Sequence, residues 1–301
     1  MVQFAIVIIH YNENKYIDKL FDSIKKQTLY PDKIVFVDNN SPINPKDQLL
    51  KNKIKNLKFI RTTENVYFAP GTNIGIREAL KSNPKIIGIL NADMYFDKNC
   101  FKTIFDYLEK NPKTVAVNPK VFNYAATSVI SHPAEKFDEK NPRKADVIGG
   151  ANLFVRTDAL KLTGLFYEPF YHGTEDIYLS EKLKKIGKLE YVQEAIAYHR
   201  DWNEDRPNRN PKNPFYIKLS NRNNLVYIFR TKDSILYIKA VLGFIKNLIK
   251  YLITSSESKL DYKSRIEGFI WGHSEALFHL TNNEKYLTKG ITVKIAEKWK
   301  L

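Results

Sequence analysis

Val2-Gln3-Phe4-Ala5-Ile6-Val7-Ile8-Ile9-His10-Tyr11-Asn12-Glu13 stands at the start of the sequence. The run Val2–Ile9 is apolar and β-branched, and it gives way abruptly to four residues with polar side chains. An apolar run without alternation predicts a strand buried on both faces, the kind a parallel sheet uses. The neighbouring residues support that reading. Ile17, Leu20, Phe21 and Ile24 recur at i, i+3, i+4 and i+7, the apolar stripe of an amphipathic helix.

The same alternation continues down the chain. Lys33–Val37 and Leu57–Ile60 read as strands, Gly71–Leu80 as a helix starting near Gly71, and Lys85–Leu90 as a fourth strand. Phe101, Ile104, Phe105 and Leu108 mark a further helix, and Val115–Val117 a short strand. Strand–helix alternation of this kind predicts an α/β fold with a mostly parallel sheet flanked by helices. Asn123–Lys144 is a polar insertion that fits no element, so the role of 120–145 is left open. Leu153–Val155 is a short apolar run, Glu175–Ile186 a helix stopped by Gly187, and Leu189–Ala197 a strand. Asn203–Pro214, rich in Asn, Pro and Arg, reads as a loop or a boundary. Strand signals disappear after Pro214, which predicts a catalytic domain over 1–215 and a helical C-terminal region over 216–301.

Composition narrows the function. Of 301 residues, 43% are hydrophobic and 13% aromatic, enough for a real core, which excludes wholesale disorder. The net charge of +15 points to an anionic partner: a nucleotide, a nucleic acid or an acidic membrane surface. Cys100 is the single cysteine, so an intramolecular disulfide and a multi-cysteine zinc site are both excluded, and the chain reads as cytoplasmic. No signal segment is visible, and no apolar run reaches the roughly 18 residues of a membrane span. No nucleic-acid-binding motif accompanies the basic charge, so no nucleic acid is expected as partner.

Ligands of such sheets bind beyond the carboxyl ends of the strands, and those ends are polar here. The first carries His10-Tyr11-Asn12-Glu13, the second Asp38-Asn39-Asn40-Ser41, the fourth Asn91-Ala92-Asp93. Asp38 could accept hydrogen bonds from a ribose or a base, and equally could hold an Asx turn. Asp93 is placed to hold a divalent cation on a diphosphate, and equally to close a turn. Glu64 to Gly75 leads into a helix whose N-terminal N–H groups suit an anion, with Asn73 in reach of a base or phosphate. Glu175 and Asp176 at a helix start could complement its dipole, or form a general base with its supporting acid. His199 could be a metal ligand or an ordinary histidine.

Taken together, Ile8 to Glu13, Val37 to Ser41, Asn65 to Gly75, Leu90 to Asp93, Gly149 to Asn152, Thr174-Glu175-Asp176 and His199 resemble, in order and spacing, the inverting GT-A glycosyltransferases of family 2. The likeness is to the bacterial rhamnosyltransferase-like and galactofuranosyltransferase-like branch, and it spans roughly residues 3–230. It implies a GT-A fold with a C-terminal helical appendage. It also implies a metal-dependent transfer of a sugar from a UDP- or dTDP-linked donor to a glycan or lipid-linked acceptor in cell-surface polysaccharide synthesis. Tyr11, Asn12 and Asp38 would hold the nucleoside, and Asn65, Asn73 and Asn91 would line the nucleotide pocket. Asp93 and His199 would hold Mn2+ or Mg2+. Asp176 would be the base with Glu175 behind it. Gly149 and Gly150 would admit the acceptor or donor sugar, and Arg222, with Asn223, would lie near the diphosphate. Three residues depart from the family pattern: Asn91 where an acid is usual, Pro70 for a glycine and Tyr167 for an aspartate. The alternative is a catalytically inactive sugar-nucleotide-binding or membrane-surface scaffold protein.

Tyr237–Ile253 has Lys239, Lys246 and Lys250 in one narrow helical sector and Ile, Leu and Val around them. Such a helix can lie in an anionic membrane interface, which would make the protein peripheral on the inner face of the cell membrane, or it can pack on the rest of the chain. Trp271, Phe278, Tyr286 and Trp299 add aromatics suited to a core or to a headgroup layer.

Overall fold

The computed structural model describes residues 3–130, 143–200, 213–254 and 258–281. The chain divides into two compact units, Met1–Glu204 and Asp205–Leu301.

The first unit alternates as the hydrophobic pattern predicts. Its elements run β1 (Phe4–His10), α1 (Asn14–Lys25), β2 (Lys33–Asp38), α2 (Lys46–Lys51), β3 (Leu57–Arg61), α3 (Phe68–Leu80), β4 (Ile86–Asn91), β5 (Met94–Phe96) and α4 (Cys100–Lys110). They continue with β6 (Thr114–Asn123), β7 (Val129–Ile130), β8 (Asn152–Arg156), α5 (Thr157–Thr163), a 3-10 turn at Glu168–Phe170, α6 (Glu175–Lys184) and β9 (Lys188–His199). Among the described residues the strands form one sheet in the order β3-β2-β1-β4-β8-β6-β9-β5, with β7 paired to β6.

Every residue of β1 is buried, because helices cover both faces of the sheet. Phe4, Ile6 and Ile8 share one face with Ile17, Leu20 and Phe21 of α1 and with Phe101, Ile104 and Leu108 of α4. Ala5, Val7 and Ile9 share the other with Ile76 and Ala79 of α3, Leu160 of α5 and Leu179 and Leu183 of α6. The period-two alternation thus sorts one strand between two cores.

Four strands, β3, β2, β1 and β4, run parallel, so their carboxyl ends share one edge; His10 lies opposite Asp38 and Ile9 opposite Asn91. β8 is antiparallel to both β4 and β6. β9 pairs parallel with β6 until Val192, opposite Pro119; the next pair is Ile196 with Lys120, so Gln193, Glu194 and Ala195 bulge out. Pro119 has no N–H to offer the ladder, which suits a break at this point. Past the bulge β9 pairs antiparallel with β5, His199 opposite Met94. The unassigned insertion contributes the end of β6 and the β7 hairpin, while residues 131–142 lie outside the described residues, as do 203–212 of the expected linker.

The second unit is helical among its described residues: α7 (Pro214–Thr231), α8 (Ser234–Ile253), α9 (Ser258–Ser274) and α10 (Ala276–Thr281). Asn213 caps α7 through the Phe215 N–H, with Pro214 in the first turn, and Asp233 caps α8 through the Leu236 N–H. α7 and α9 pack backbone to backbone. A Cβ at Gly268 would stand 2.2 Å from the Lys218 carbonyl oxygen, so only glycine fits there. No described helix is long and apolar enough to cross a membrane. Trp271 and Phe278 are core residues of this unit, and Tyr286 and Trp299 lie outside the described residues.

Candidate active site

The edge where β1, β2 and β4 end carries three polar assemblies. The first is built on Asp38, which is fully enclosed. Its Oδ1 accepts from the Ser41 hydroxyl at 2.5 Å and the Ser41 N–H at 3.2 Å, and lies 3.0 Å from His10 Nδ1. Arg61 Nη1 donates to Oδ2, and Arg61 Nη2 donates to the Asn40 side chain and the Ser41 carbonyl. His10 Nε2 accepts the Glu13 N–H at 3.2 Å, which assigns the proton to Nδ1 and a hydrogen bond to Asp38. Burial pushes the Asp38 carboxyl up, but the bonds from His10 and Ser41 outweigh it and hold it below the usual aspartate value.

This network ties the loop after β1 to the loop after β2. Asn12 donates its N–H to Ser41 Oγ at 2.8 Å and adopts φ +55, a conformation asparagine tolerates better than most residues. Tyr11 is half-buried and Asn12 exposed at the rim. Arg61 also reaches solvent, with 27% of its side chain exposed.

The second assembly lies at the end of β4. Asp93 is fully buried, with Oδ1 3.3 Å from His199 Nε2 and Oδ2 3.6 Å from Arg200 Nε. The β9 bulge and the β5 pairing bring His199 there. His199 Nδ1 lies 2.8 Å from the Arg200 carbonyl, an oxygen that can only accept, so Nδ1 carries a proton and Nε2 is the ring nitrogen that faces Asp93. Arg200 also bonds Glu13 at 3.1 Å and the Tyr16 hydroxyl at 3.3 Å. Burial lowers the Arg200 pKa, and Tyr16, Glu13 and Asp93 together more than reverse that, leaving it above its ordinary value.

The third assembly is the acidic pair at the start of α6. Glu175 is buried and Asp176 half-buried. Asp176 Oδ1 accepts its neighbour's Ile177 N–H at 2.8 Å, and Oδ2 lies 3.4 Å from the Gly150 N–H. Ser180 Oγ accepts the Ile148 N–H at 2.9 Å, so α6 is fastened to the 148–150 loop at two points. A Cβ at Gly150 would lie 3.1 Å from the Phe68 ring and 3.6 Å from Asp176 Cβ, so glycine lets both close on the backbone. The Gly149 N–H donates to Asn118 Oδ1, and the Asn118 amide donates back to the Gly149 and Asn152 carbonyls. The segment leading into α6 is contorted: Tyr171, Gly173 and Thr174 have φ of +59, +86 and +76. For a β-branched residue such as Thr174 that conformation is strained, and strain of this kind clusters at functional sites.

A continuous set of contacts joins the second assembly to the third. The Asn91 N–H donates to the Ala151 carbonyl at 3.0 Å, Gly150 adjoins Asp176, and Asn91 Nδ2 lies 3.4 Å from His199 Nε2. Asp93, Asn91, His199, Gly149, Gly150 and Asp176 therefore share one end of the sheet, as the strand order anticipates.

Three expectations are corrected. Asn73 does not line a pocket: it is buried, its amide donates to the Phe166 carbonyl and Glu168 Oε1, and its oxygen accepts the Phe166 N–H. It pins the 166–168 segment to α3. The start of α3 is not a free anion cradle. The helix begins at Phe68 rather than near Gly71, the Ala69 N–H is taken by the Tyr171 carbonyl, and Pro70 has none. Arg222 is fully buried in the helical unit, where it bonds Glu275 through Nε and Nη2 and Asn223 through Nη1, so its visible task is a buried ion pair. Asn65 is half-buried and its Oδ1 accepts the Tyr67 N–H, shaping the loop before α3.

Sequence reasoning gave no role to His10, Glu13, Tyr16, Ser41, Arg61 or Arg200. Two signals for them were present. His10 opens the first strand-end motif and Ser41 closes the second, and Arg200 directly follows His199.

A family model described as Glycosyl transferase family 2 matches residues 5–187, from β1 to the end of α6. The O-antigen chain rhamnosyltransferase RfbN of Salmonella typhimurium is 24% identical over 216 residues, 66% of this chain and 66% of that protein, so the chain spans a little under two thirds of that relative. Among solved structures, S. aureus TarS 1-349 in complex with UDP-GlcNAc matches with TM-score 0.62 at 16% identity, over 98% of this chain and 91% of that one. GalNAc-T7 with UDP, GalNAc and Mn2+ matches with TM-score 0.62 at 16% identity, over 94% of this chain and 58% of that one. Those structural likenesses establish the fold, a GT-A sheet flanked by helices. Since the family model covers more than half of the chain and runs through all but one of the strand-end and helix-start assemblies described above, His199 and Arg200 alone falling beyond it, the chain belongs to glycosyl transferase family 2.

Proposed function

We propose that the chain is an inverting glycosyltransferase that moves a sugar from a UDP- or dTDP-linked donor to a hydroxyl of a glycan or lipid-linked acceptor in cell-surface polysaccharide synthesis. The observation that carries this reading is the convergence of Asp93, His199 and Asp176 on one end of the sheet through Asn91, Ala151 and Gly150. The match to RfbN supports the pathway class.

The residues at the end of β4 fit a divalent cation. His199 Nε2 and Asp93 Oδ1 face each other at 3.3 Å, and Asn91 Oδ1 is buried with no hydrogen-bond partner among the described residues. One buried carboxylate, one imidazole and one amide oxygen, completed by diphosphate oxygens, suit Mg2+ or Mn2+. When bound there, the cation would neutralise charge developing on the leaving diphosphate. Asp93 and His199 would hold it, and Asn91 would face it.

The remaining roles belong to the chain. Tyr11 and Asn12 stand at the rim for the nucleoside; Asp38, expected to hold it directly, is enclosed with both oxygens bonded and instead holds their loops through its network, and Asn65 shapes the wall before α3. Gly149 and Gly150 bring the backbone close to the sugars. Asp176, oriented by two backbone N–H groups, takes the proton from the acceptor hydroxyl. That oxygen attacks the anomeric carbon opposite the diphosphate, the bond to the diphosphate breaks, and the configuration inverts. Glu175 supports Asp176 from the same helix turn. A base of this kind contributes roughly 10²–10⁴-fold. The test is turnover of a panel of UDP- and dTDP-sugars with Mn2+, with and without acceptor, reading the product anomer by NMR. An acceptor-dependent product of inverted configuration is expected. A retained configuration, or hydrolysis that acceptor does not redirect, would overturn the reading.

A further inference from the structure

Helix α8 poses a problem that the catalytic reading does not address. Its twenty residues include eleven Ile, Leu, Val and Phe, yet none is buried among the described residues. Its inner side is accounted for: Leu236 and Ala240 pack on the cluster of Leu225, Ile228 and Phe229, and Phe244 stacks on Phe269 at 4.4 Å. At about 100° per residue, Ile238, Leu242, Ile245, Ile249 and Leu252 fall on the opposite side. They are 59%, 61%, 46%, 53% and 70% exposed. A soluble monomer seldom leaves so continuous an apolar stripe in water, and such a stripe marks an interaction surface.

The margins of the stripe indicate its partner. Lys239, Lys246 and Lys250 form a row along one edge, Tyr237 borders the other, and no Asp or Glu occurs from Ser234 to Ser256. A second copy docking the same face would bring no carboxylate from this helix to the three lysines. A layer of anionic headgroups over an apolar interior meets both the lysine row and the stripe. A helix of 20 residues is about 30 Å long and can lie flat, its apolar side sunk roughly 5–10 Å into the interface. The lysine stems would run along the apolar layer with their ammonium groups among the headgroups.

We propose that α8 is an interfacial helix that docks the protein on an anionic lipid surface, with Ile238, Leu242, Ile245, Ile249 and Leu252 inserted and Lys239, Lys246 and Lys250 on the headgroups. This docking surface is independent of the active-site reading, and its test contains neither nucleotide nor acceptor.

The full chain is floated with vesicles of phosphatidylcholine alone and of phosphatidylcholine with phosphatidylglycerol, at low and high salt. Binding to the anionic vesicles is expected, weakened by salt. Replacing Lys239, Lys246 and Lys250 by glutamine, surface changes that leave folding intact, should weaken it on the order of 100-fold, about fivefold per lysine. Ile245→Glu should abolish it while the melting temperature holds. Equal binding to both vesicles would overturn the headgroup role. No binding, with a concentration-dependent dimer that Ile245→Glu dissolves, would assign the stripe to a second copy. No binding by a monomer whose α8 amides are strongly protected from exchange would assign it to another part of the chain. Either of these last results overturns the proposal.

Discussion

Both units of this protein bury charge, and they do so to different ends. In the helical unit, Arg222, Glu275 and His279 are fully enclosed and satisfy one another: Arg222 Nη2 meets Glu275 Oε2 at 2.6 Å and the guanidinium lies over the Trp271 ring. In the sheet unit, the charges of Asp93 and Arg200 are also buried, but they sit at a strand end beside His199, at the same end of the sheet as the half-buried Asp176. The first arrangement closes on itself and specifies a packing. The second lies at the carboxyl end of the sheet, where ligands of such sheets bind. Burial alone therefore does not distinguish a structural ion pair from a candidate catalytic centre; position at the carboxyl end of the sheet is what singles out the second.

Substitutions that separate chemistry from stability test this contrast. The largest effect is expected for Asp176→Asn, with turnover falling roughly 10²–10⁴-fold. Donor affinity should change little, measured by steady-state rates beside nucleotide titrations. A parallel loss of affinity would move Asp176 out of the role of base. Asp93→Ala should cost about 10²–10³-fold in metal-supported turnover, the scale of losing one preorganised electrostatic contact. Adding metal should not restore it.

Arg222→Met should act on the other side of the comparison. It leaves the Glu275 carboxylate buried without its guanidinium, at a cost of about 3–5 kcal/mol read in a urea melt. If Arg222 serves the diphosphate instead, donor affinity will drop while the melt stays put. Gly268→Ala is expected to cost less, about 1–3 kcal/mol, because its Cβ must push against the Lys218 carbonyl.

Acid should also find the helical unit first. Burial opposes the Glu275 charge, but His279 and Arg222 outweigh it and hold its pKa at about 2. Burial holds His279 below its ordinary value of 6.5. Both shifts mean that the unfolded chain binds more protons, so stability falls as pH drops. The loss begins near pH 6.5 with His279 and continues from about 4.5 towards 2 with Glu275. A pH series of thermal melts on Glu275→Gln should lose the lower part of that dependence.

Much of the sheet could be read from apolar runs alone, because a doubly covered strand leaves no alternation to confuse with anything else. The short strands could not. Met94–Phe96 has three residues and no periodicity, and it exists because β9 extends past a bulge to pair with it. That bulge arises from a register shift between two strands distant in sequence, so His199 could be named as a ligand but not placed. Within the candidate site, residue types at strand ends pointed to one end of the sheet, and Asp93, His199 and Asp176 are all found there. Asn73 shows the limit. An amide in the first turns of a helix can face a nucleotide or pin a loop, and only the contact with Phe166, far along the chain, decides between them. Arg222 is similar, because its partner Glu275 stands at the turn between α9 and α10, far along the chain.

The claim on which the rest depends is that a cation-held diphosphate and a proton-accepting carboxylate occupy one crevice with separable duties. Calorimetric titration of UDP and dTDP, with Mn2+ and after chelation, tests it on the wild type, Asp93→Ala and Asp176→Asn. The account predicts metal-dependent binding of one nucleotide to the wild type and equally to Asp176→Asn, and its loss in Asp93→Ala. Binding that ignores both Mn2+ and the Asp93 substitution would contradict it.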